Sequence, residues 1–422
     1  METTKRSFGQ SSRWTVCAML FFATSINYMD RQVLGILSPS LQRVIGWNEA
    51  QYGYIIAGFQ VAYAIGLLVA GRLIDRFGTR AGYAFVMAVW SIAAASHALA
   101  RSVLAFGIAR IFLGFGESGN FPAAIKATAE WFPRKERSLA VGIFNSGSNV
   151  GAVLAPLIVP WITLRFGWPF AFLCTSLFSA LWLGVWLVWY RSPKSNEAPR
   201  EIEQAPGPHI QESATASIPL AQLLAHRQLW AFPVCKFLTD PVWWFYLYWL
   251  PKFFDARYHV SLIHLGLPLI IVYNASALGS IGGGWLPGIL NRRGISISKA
   301  RLVTMSICAC LVMPVLLADR LPSIWYAVAL LSLAAAAHQG WSANLLTIPS
   351  DLFPNRAVAT VVGIGGTAGS VGGVLFAICT GWVLEVTHSY TALFAFAGSA
   401  YMVALLLLVL IAPGLRPAVP IE

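Results

Sequence analysis

Charge is scarce in this chain. Asp, Glu, Lys and Arg make up 11% of its 422 residues, where soluble domains carry about 25%, and the mean hydropathy is +0.66. So little polar surface cannot coat a water-facing globule, which leaves an integral membrane protein as the class. Strict alternation of apolar and polar residues is missing too, and with it the signature of a membrane β-barrel. The runs 51–70, 81–100, 170–190, 323–337 and 391–412 are continuous, each about as long as a helical span requires. Several chemistries are also absent. No HExxH or GxSxG stretch and no cluster of His or Cys appears, which disfavours a membrane enzyme. No Gly-Lys dipeptide occurs, which removes a Walker A loop and with it an ATP-driven pump. The six cysteines, Cys17, Cys174, Cys235, Cys308, Cys310 and Cys379, all fall in apolar runs. They read as small core residues, with no disulfide frame, metal site or cofactor. No small-residue cleavage site follows the first apolar run, so that run reads as a full span.

Counting apolar runs between charged or Pro/Gly punctuation predicts about twelve helical spans. They lie near 14–37, 51–71, 81–100, 103–125, 138–160, 168–190, 228–253, 265–289, 300–318, 323–347, 357–383 and 391–412. The formal net charge of +12 could suggest nucleic acid, so its placement matters. On this layout only Arg43, Arg101, Arg165, Lys252, Arg257 and Arg320 fall on one side of the membrane. Arg13, Arg72, Arg76, Arg80, Arg134, Lys135, Arg137, Arg191, Arg292, Arg293, Arg301 and Arg356 are among those on the other. That asymmetry is the positive-inside signal, so nucleic acid is not expected as a partner and both termini are predicted to be cytoplasmic. The long polar interval 191–218 is rich in Pro, Ser and Glu and reads as a linker; PLAQLLAHRQLW after it suggests a short interfacial helix. The expected organisation is a tail (1–13), a six-helix bundle (14–190), a cytoplasmic linker (191–227), a second six-helix bundle (228–412) and a tail (413–422).

An internal comparison supports two related halves. FPRKERSLAVGIFNSGSNVGAVL, residues 132–154, aligns without a gap onto FPNRAVATVVGIGGTAGSVGGVL, residues 353–375. Phe132, Pro133, Gly142, Gly151 and Leu154 recur as Phe353, Pro354, Gly363, Gly372 and Leu375, and Glu130 falls on Asp351. Two six-span repeats joined by a cytoplasmic loop is the architecture of parallel-repeat transporters.

Inside the spans the ionisable residues are Asp30, Arg31, Arg110, Glu117, Lys236, Asp240 and His338. A charge at the bilayer centre costs roughly 2.5–3.5 kcal/mol on insertion scales, so these groups should face one another or a watered cavity; a buried structural ion pair is the plainer alternative. Arg110 and Glu117, seven apart, share a helix face roughly 10 Å apart along the axis, too far to pair. Asp30 and Arg31 are adjacent and point about 100° apart. The economical arrangement sets Asp30 against Arg110, leaving Arg31 and Glu117 over. An Arg facing a cavity binds a carboxylate or phosphate with its planar fork, and low dielectric favours the protonated form of a carboxyl such as Glu117. In the repeat register Glu117 falls on His338, either a hydrogen-bonded core residue or a second titratable group. Gln339 and Asn344 are candidates for holding hydroxyls. In FLTDPVWWFYLYWLP, Asp240 precedes Pro241, and aromatics such as Tyr246 are either packing and interface anchors or a stacking surface for a sugar. At 71–80, Gly71, Asp75, Arg76, Gly78 and Arg80 form either a plain basic loop or a charge latch that breaks as the halves rock.

That loop, the twelve-span layout and the duplicated halves resemble the major facilitator superfamily. The combination Asn27-Tyr28-x-x-Arg31, Arg110-x-x-x-Gly114-x-x-Glu117, Pro122, Trp131-Phe132-Pro133-x-x-Glu136-Arg137 and Ala337-His338-Gln339 is similar to the anion:cation symporter family, and the stretches EWFPRKERS and AHQ look most like its hexuronate transporter branch. The resemblance implies uptake of a small organic anion with protons, Arg31 holding the substrate carboxylate. From galactonate symporters of this family it implies coupling acids at Asp30 and Glu117, modulation by Arg110 and a substrate contact at Tyr63. Three departures stand out. Some hexuronate-type members have an uncharged residue at the place of Asp30. Asp240 lies near where vesicular glutamate members carry an Arg. Ser148 replaces a Gln of the galactonate symporters, which shifts sugar contacts to Asn145 or Asn149. The expectation is a monomeric, proton-coupled importer of a sugar acid in the cell membrane, with a sodium-coupled or uncoupled carboxylate transporter and a non-transporting sensor as alternatives.

Overall fold

The computed structural model describes residues 8–132, 134–193, 220–353 and 355–415, which contain helices and no strand. The helices are α1 (Phe8–Ile45), α2 (Glu49–Ser96), α3 (Val103–Ser118), α4 (Asn120–Trp131), α5 (Arg134–Phe166), α6 (Trp168–Trp189), α7 (Leu220–Ala225), α8 (Ala231–Tyr258), α9 (Gly266–Arg292), α10 (Ile297–Val312), α11 (Ile324–Leu345), α12 (Ile348–Leu352), α13 (Asn355–Thr387) and α14 (Thr391–Ile411). By its contacts the chain divides into two compact units, Met1–Leu37 with Gly58–Gln211, and Ser38–Ala57 with Glu212–Glu422.

The first unit carries six spans: α1, the two arms of α2, α3 with α4, α5 and α6. Two expectations need correction. The stretch 71–80, expected as a loop, is helical, and α2 runs through it with one break at Gly78 (φ 79°, ψ 161°), a conformation that side chains with a Cβ rarely adopt. The fourth span does not stop near 125; α4 continues it to Trp131. In the second unit the spans are α8, α9, α10 continued by a 3-10 turn over Met313–Arg320, α11, α13 and α14. The six residues of α7 and a 3-10 turn at Arg227–Trp230 precede α8, where an interfacial helix was expected. Much of the linker, residues 194–219, lies outside the described residues. The cysteine reading also needs correction: Cys17, Cys235 and Cys308 are buried, but Cys310 and Cys379 are exposed, because a helix with an apolar outer face can carry Cys there as readily as Leu.

Among the described residues, seven segments are long and apolar enough to cross a membrane by composition: Arg76–Leu99, Ala140–Phe166, Trp168–Trp189, Leu262–Arg292, Ile297–Arg320, Thr360–Thr387 and Thr391–Ile411. Asp30, Arg31, Arg110, Glu117, Lys236, Asp240 and His338 all lie outside these segments, in α1, α3, α8 and α11. Outer faces are apolar and exposed, as at Leu99, Val188 and Leu278, which suits lipid and would be a liability in water.

The helices approach through small residues, as lipid-embedded helices do. A Cβ at Gly151 of α5 would run into the Ser25 carbonyl of α1, and one at Gly372 of α13 into the Phe237 carbonyl of α8. Gly151 and Gly372 are partners in the sequence repeat, so each unit crosses its first and fifth spans at the same glycine.

Candidate functional site

In the first unit, α1, α2, α3 and α6 bring the predicted charges together. Arg31 donates Nε and Nη2 to Glu117 Oε2 at 2.9 and 2.8 Å, with Nη2 also 3.4 Å from Asn27 Oδ1. Its guanidinium lies 5.0, 5.2 and 4.8 Å from the ring centres of Tyr28, Phe59 and Tyr63, close enough for cation–π attraction. Arg110 donates Nη2 to the main-chain carbonyl of Arg31 at 2.9 Å and lies 5.2 Å from the Phe59 ring. Asp30 Oδ2 accepts from Trp90 Nε1 at 2.7 Å and from Ser179 Oγ at 2.8 Å. Arg31, Arg110 and Glu117 are at most 1% exposed and Asp30 3%, whereas Tyr28 and Tyr63 are half-buried.

The two residues expected to be left over, Arg31 and Glu117, meet each other. Among the described residues the ion pair is Arg31 with Glu117, and Asp30 is held by neutral donors from the third and sixth spans. Glu117 of α3 meets the Arg31 guanidinium, and Arg110, two turns earlier on the same face of α3, meets the α1 backbone. One oxygen of each acid, Asp30 Oδ1 and Glu117 Oε1, is buried without a hydrogen-bond partner among the described residues. A buried carboxylate oxygen left so is costly, and protonation removes the charge.

Trp90 and Ser179 were missed by sequence reasoning. Ser179 had a signal: with Thr175 and Ser176 it places hydroxyls at helical spacing in the otherwise apolar α6. Trp90 carried none that separates it from packing aromatics. Asn145 is exposed and Asn149 half-buried on α5; neither side chain makes one of the hydrogen bonds described for this cluster.

In the second unit His338 Nδ1 lies 2.5 Å from Tyr401 Oη, and its ring stacks on Trp243 at 5.4 Å with 2° between the planes. It is a hydrogen-bonded, buried histidine. Asn344, expected to hold substrate hydroxyls, gives its amide hydrogens to the carbonyls of Gly283 (2.8 Å) and Gly340 (2.9 Å), tying α11 to α9. Gln339 is half-buried, and Tyr246 is fully buried with no partner for its hydroxyl among the described residues. On α8, Lys236 Nζ and Asp240 Oδ2 are 2.7 Å apart, with side chains 14% and 22% exposed. A pair at this i,i+4 spacing returns about 0.2–0.5 kcal/mol, against roughly 2.5–3.5 kcal/mol for each charge placed deep in a bilayer.

Of the expected latch, Gly78 makes the break in α2, Arg80 Nη2 donates to the Leu187 carbonyl at 2.5 Å, and the Arg76 guanidinium lies 5.8 Å from the Phe77 ring. Gly71 has open space where a Cβ would stand, and the Asp75 side chain lies outside the described residues. Beside them Glu130 accepts from Thr79 (2.5 Å) and Tyr190 (2.7 Å). In the second unit its repeat partner, Asp351, pairs with Arg301.

The second unit also contains Ser38–Ala57, the end of α1 and the start of α2. Lys252 pairs with Glu49 at 2.5 Å, Arg43 grips both oxygens of Asp255 at 2.9 and 2.7 Å, and the Tyr52 hydroxyl donates to the Tyr248 carbonyl at 2.9 Å.

The sequence profile of the Major Facilitator Superfamily matches residues 20–377. A hexuronate transporter of Escherichia coli (strain K12) is 32% identical over 389 residues, 91% of this chain and 90% of that protein. A galacturonate transporter of Dickeya chrysanthemi is 33% identical over 69% of this chain and 87% of its own length. Among solved structures, a bacterial homolog of the human lysosomal transporter Spinster has a similar fold, with a TM-score of 0.75 at 16% identity over 96% of both chains.

Proposed function

The chain belongs to the Major Facilitator Superfamily, a family of membrane transporters rather than enzymes, and on that premise we propose that it imports a sugar acid of the hexuronate kind by proton symport with alternating access. The relatives that carry hexuronate and galacturonate in their names support the substrate class. The coupling rests on one observation: Glu117 occupies the Nε/Nη2 edge of Arg31, the edge a substrate carboxylate would take. Two carboxylates cannot share one fork. A proton on Glu117 weakens its grip and frees the guanidinium for the substrate, and loss of that proton restores the internal pair and expels the anion. Proton and anion therefore bind together through a single side chain. Asp30, held by Trp90 and Ser179, is the second proton carrier in this reading, and Arg110 bounds the cluster through the Arg31 carbonyl. Tyr28 and Tyr63, the half-buried rings on Arg31, are the first groups an incoming acid meets. The 14–190 and 228–412 halves are assigned as the two six-helix bundles of a monomer with both termini in the cytoplasm, and the 71–80 stretch as its latch.

Uptake of radiolabelled glucuronate or galacturonate into proteoliposomes tests this. Accumulation should follow an inward proton gradient and be indifferent to sodium. Glu117→Gln should abolish gradient-driven accumulation and retain counterflow exchange. Accumulation in the wild type that ignores the proton gradient sinks the coupling.

A further inference from the structure

One face of α8 carries a cation, an acid and an indole that stay partly exposed. Lys236, Asp240 and Trp243 stand at i, i+4 and i+7, which is one stripe of a helix, and all three stay partly exposed while 245–254 of the same helix is buried. The Lys236–Asp240 pair joins two residues of one helix and ties no second helix to it, so it does not hold the unit together. Asp240 rests against Gly369 of α13, where a Cβ would strike its carboxyl; bare backbone makes the room for it. Trp243 is fixed flat: the His338 ring covers one face, Tyr401 holds His338 by its hydroxyl, and Tyr273 meets the indole edge-on at 6.4 Å and 72°. Trp243 nonetheless stays partly exposed.

The repeat gives the position a meaning. Gly151 and Gly372 set Ser25 opposite Phe237 in the two units, and Arg31 stands as far beyond Ser25 as Trp243 stands beyond Phe237. Glu117 falls on His338 in the same way. The contact Arg31–Glu117 of the first unit is thus matched by Trp243–His338 in the second, a charged grip in one and a backed aromatic plate in the other.

From this geometry we propose that the α8 stripe of Lys236, Asp240 and Trp243 is a recognition site for the ring and hydroxyls of a cyclic sugar acid, a subsite that rests on the proposed function and favours closed-ring over open-chain substrates. A donor and an acceptor 2.7 Å apart complement two neighbouring hydroxyls, each of which both donates and accepts. Trp243 offers a flat apolar face to the C–H side of a pyranose, which an open chain does not present. His338 acts through Trp243 as a positioning residue.

The test is uptake of labelled galacturonate into proteoliposomes, with unlabelled galactonate, its open-chain counterpart, as competitor. Trp243→Leu should raise the KM for galacturonate about tenfold, the scale of one lost ring contact, and leave inhibition by galactonate within about twofold. Trp243→Phe should restore most of the galacturonate affinity. Should Trp243→Leu fold poorly, Asp240→Asn, nearly isosteric, carries the test: it should weaken both sugar acids and spare inhibition by cyclohexanecarboxylate, which has a ring and no hydroxyl. An unchanged KM in Trp243→Leu, equal loss for galacturonate and galactonate, or equal loss for all three acids in Asp240→Asn overturns the inference alone. A wild type that takes up no sugar acid overturns the proposed function and this subsite with it.

Discussion

Removing Glu49 should destabilise the second unit, and removing its partner as well should largely restore it. Lys252 is 4% exposed and pairs with Glu49, 19% exposed, at 2.5 Å; its ammonium also lies 4.6 Å from the Tyr52 ring. Breaking a buried pair from one side costs about 3–5 kcal/mol because the other charge stays behind without its partner. Two features argue for the lower end. Glu49 is partly solvated, and the Glu385 carboxyl, which accepts the Glu49 main-chain N–H at 2.9 Å, is close enough to compensate in part. Glu49→Gln should therefore lose about 3 kcal/mol, which is a fall of roughly 6–12 °C in thermal midpoint for a cooperative unit of this size. Lys252→Met alone leaves an acid near the surface and should lose less. The double variant removes both charges and keeps the unbranched stem against Tyr52, so it should return to within about 1 kcal/mol of the wild type. The assay is a double-mutant cycle on purified protein in one detergent, read by thermal unfolding. A Glu49→Gln midpoint within a degree of the wild type, or a double variant no better than Glu49→Gln, refutes the reasoning.

Arg31→Lys keeps the charge and loses the fork, so the KM for galacturonate should rise about tenfold or more in proteoliposome uptake. Asn344→Ala removes two hydrogen bonds to main-chain carbonyls, so it should lower thermal stability by about 1–3 kcal/mol with the KM unchanged; a raised KM without loss of stability would assign Asn344 to the substrate. Gly78→Ala places a Cβ at φ 79° and should destabilise the first unit by about 1–2 kcal/mol, measured by thermal unfolding and by the yield of monodisperse protein.

Much of the architecture was legible because lipid imposes one rule on every span, and the scarcity of charge made each exception visible. Asp30, Arg31, Arg110 and Glu117 could be named as one candidate cluster for that reason. Their pairing could not. Spacing along a helix gives the direction of a side chain about its own axis, but the partner depends on how neighbouring helices are rotated, and that is set by packing at glycines such as Gly151. Trp90 and Ser179 come from spans far from Asp30 in sequence, with no periodic pattern linking them. The break at Gly78 was readable as punctuation, yet a helix that continues on both sides of one glycine looks, in sequence, like a short polar loop. Asn344 shows the converse: a polar residue in a span reads as a ligand contact until its neighbours are known, and here two carbonyls claim it.

The Arg31–Glu117 contact has a consequence for the empty carrier. A transporter that binds anions with a bare cation must expose that cation to hydrocarbon whenever it resets without cargo, and exchangers escape this by never resetting empty. In the proposed mechanism the chain brings its own surrogate passenger, the Glu117 carboxyl paired with Arg31. The unloaded return trip is then electrically quiet, and one-way traffic does not depend on finding a counter-substrate on the far side.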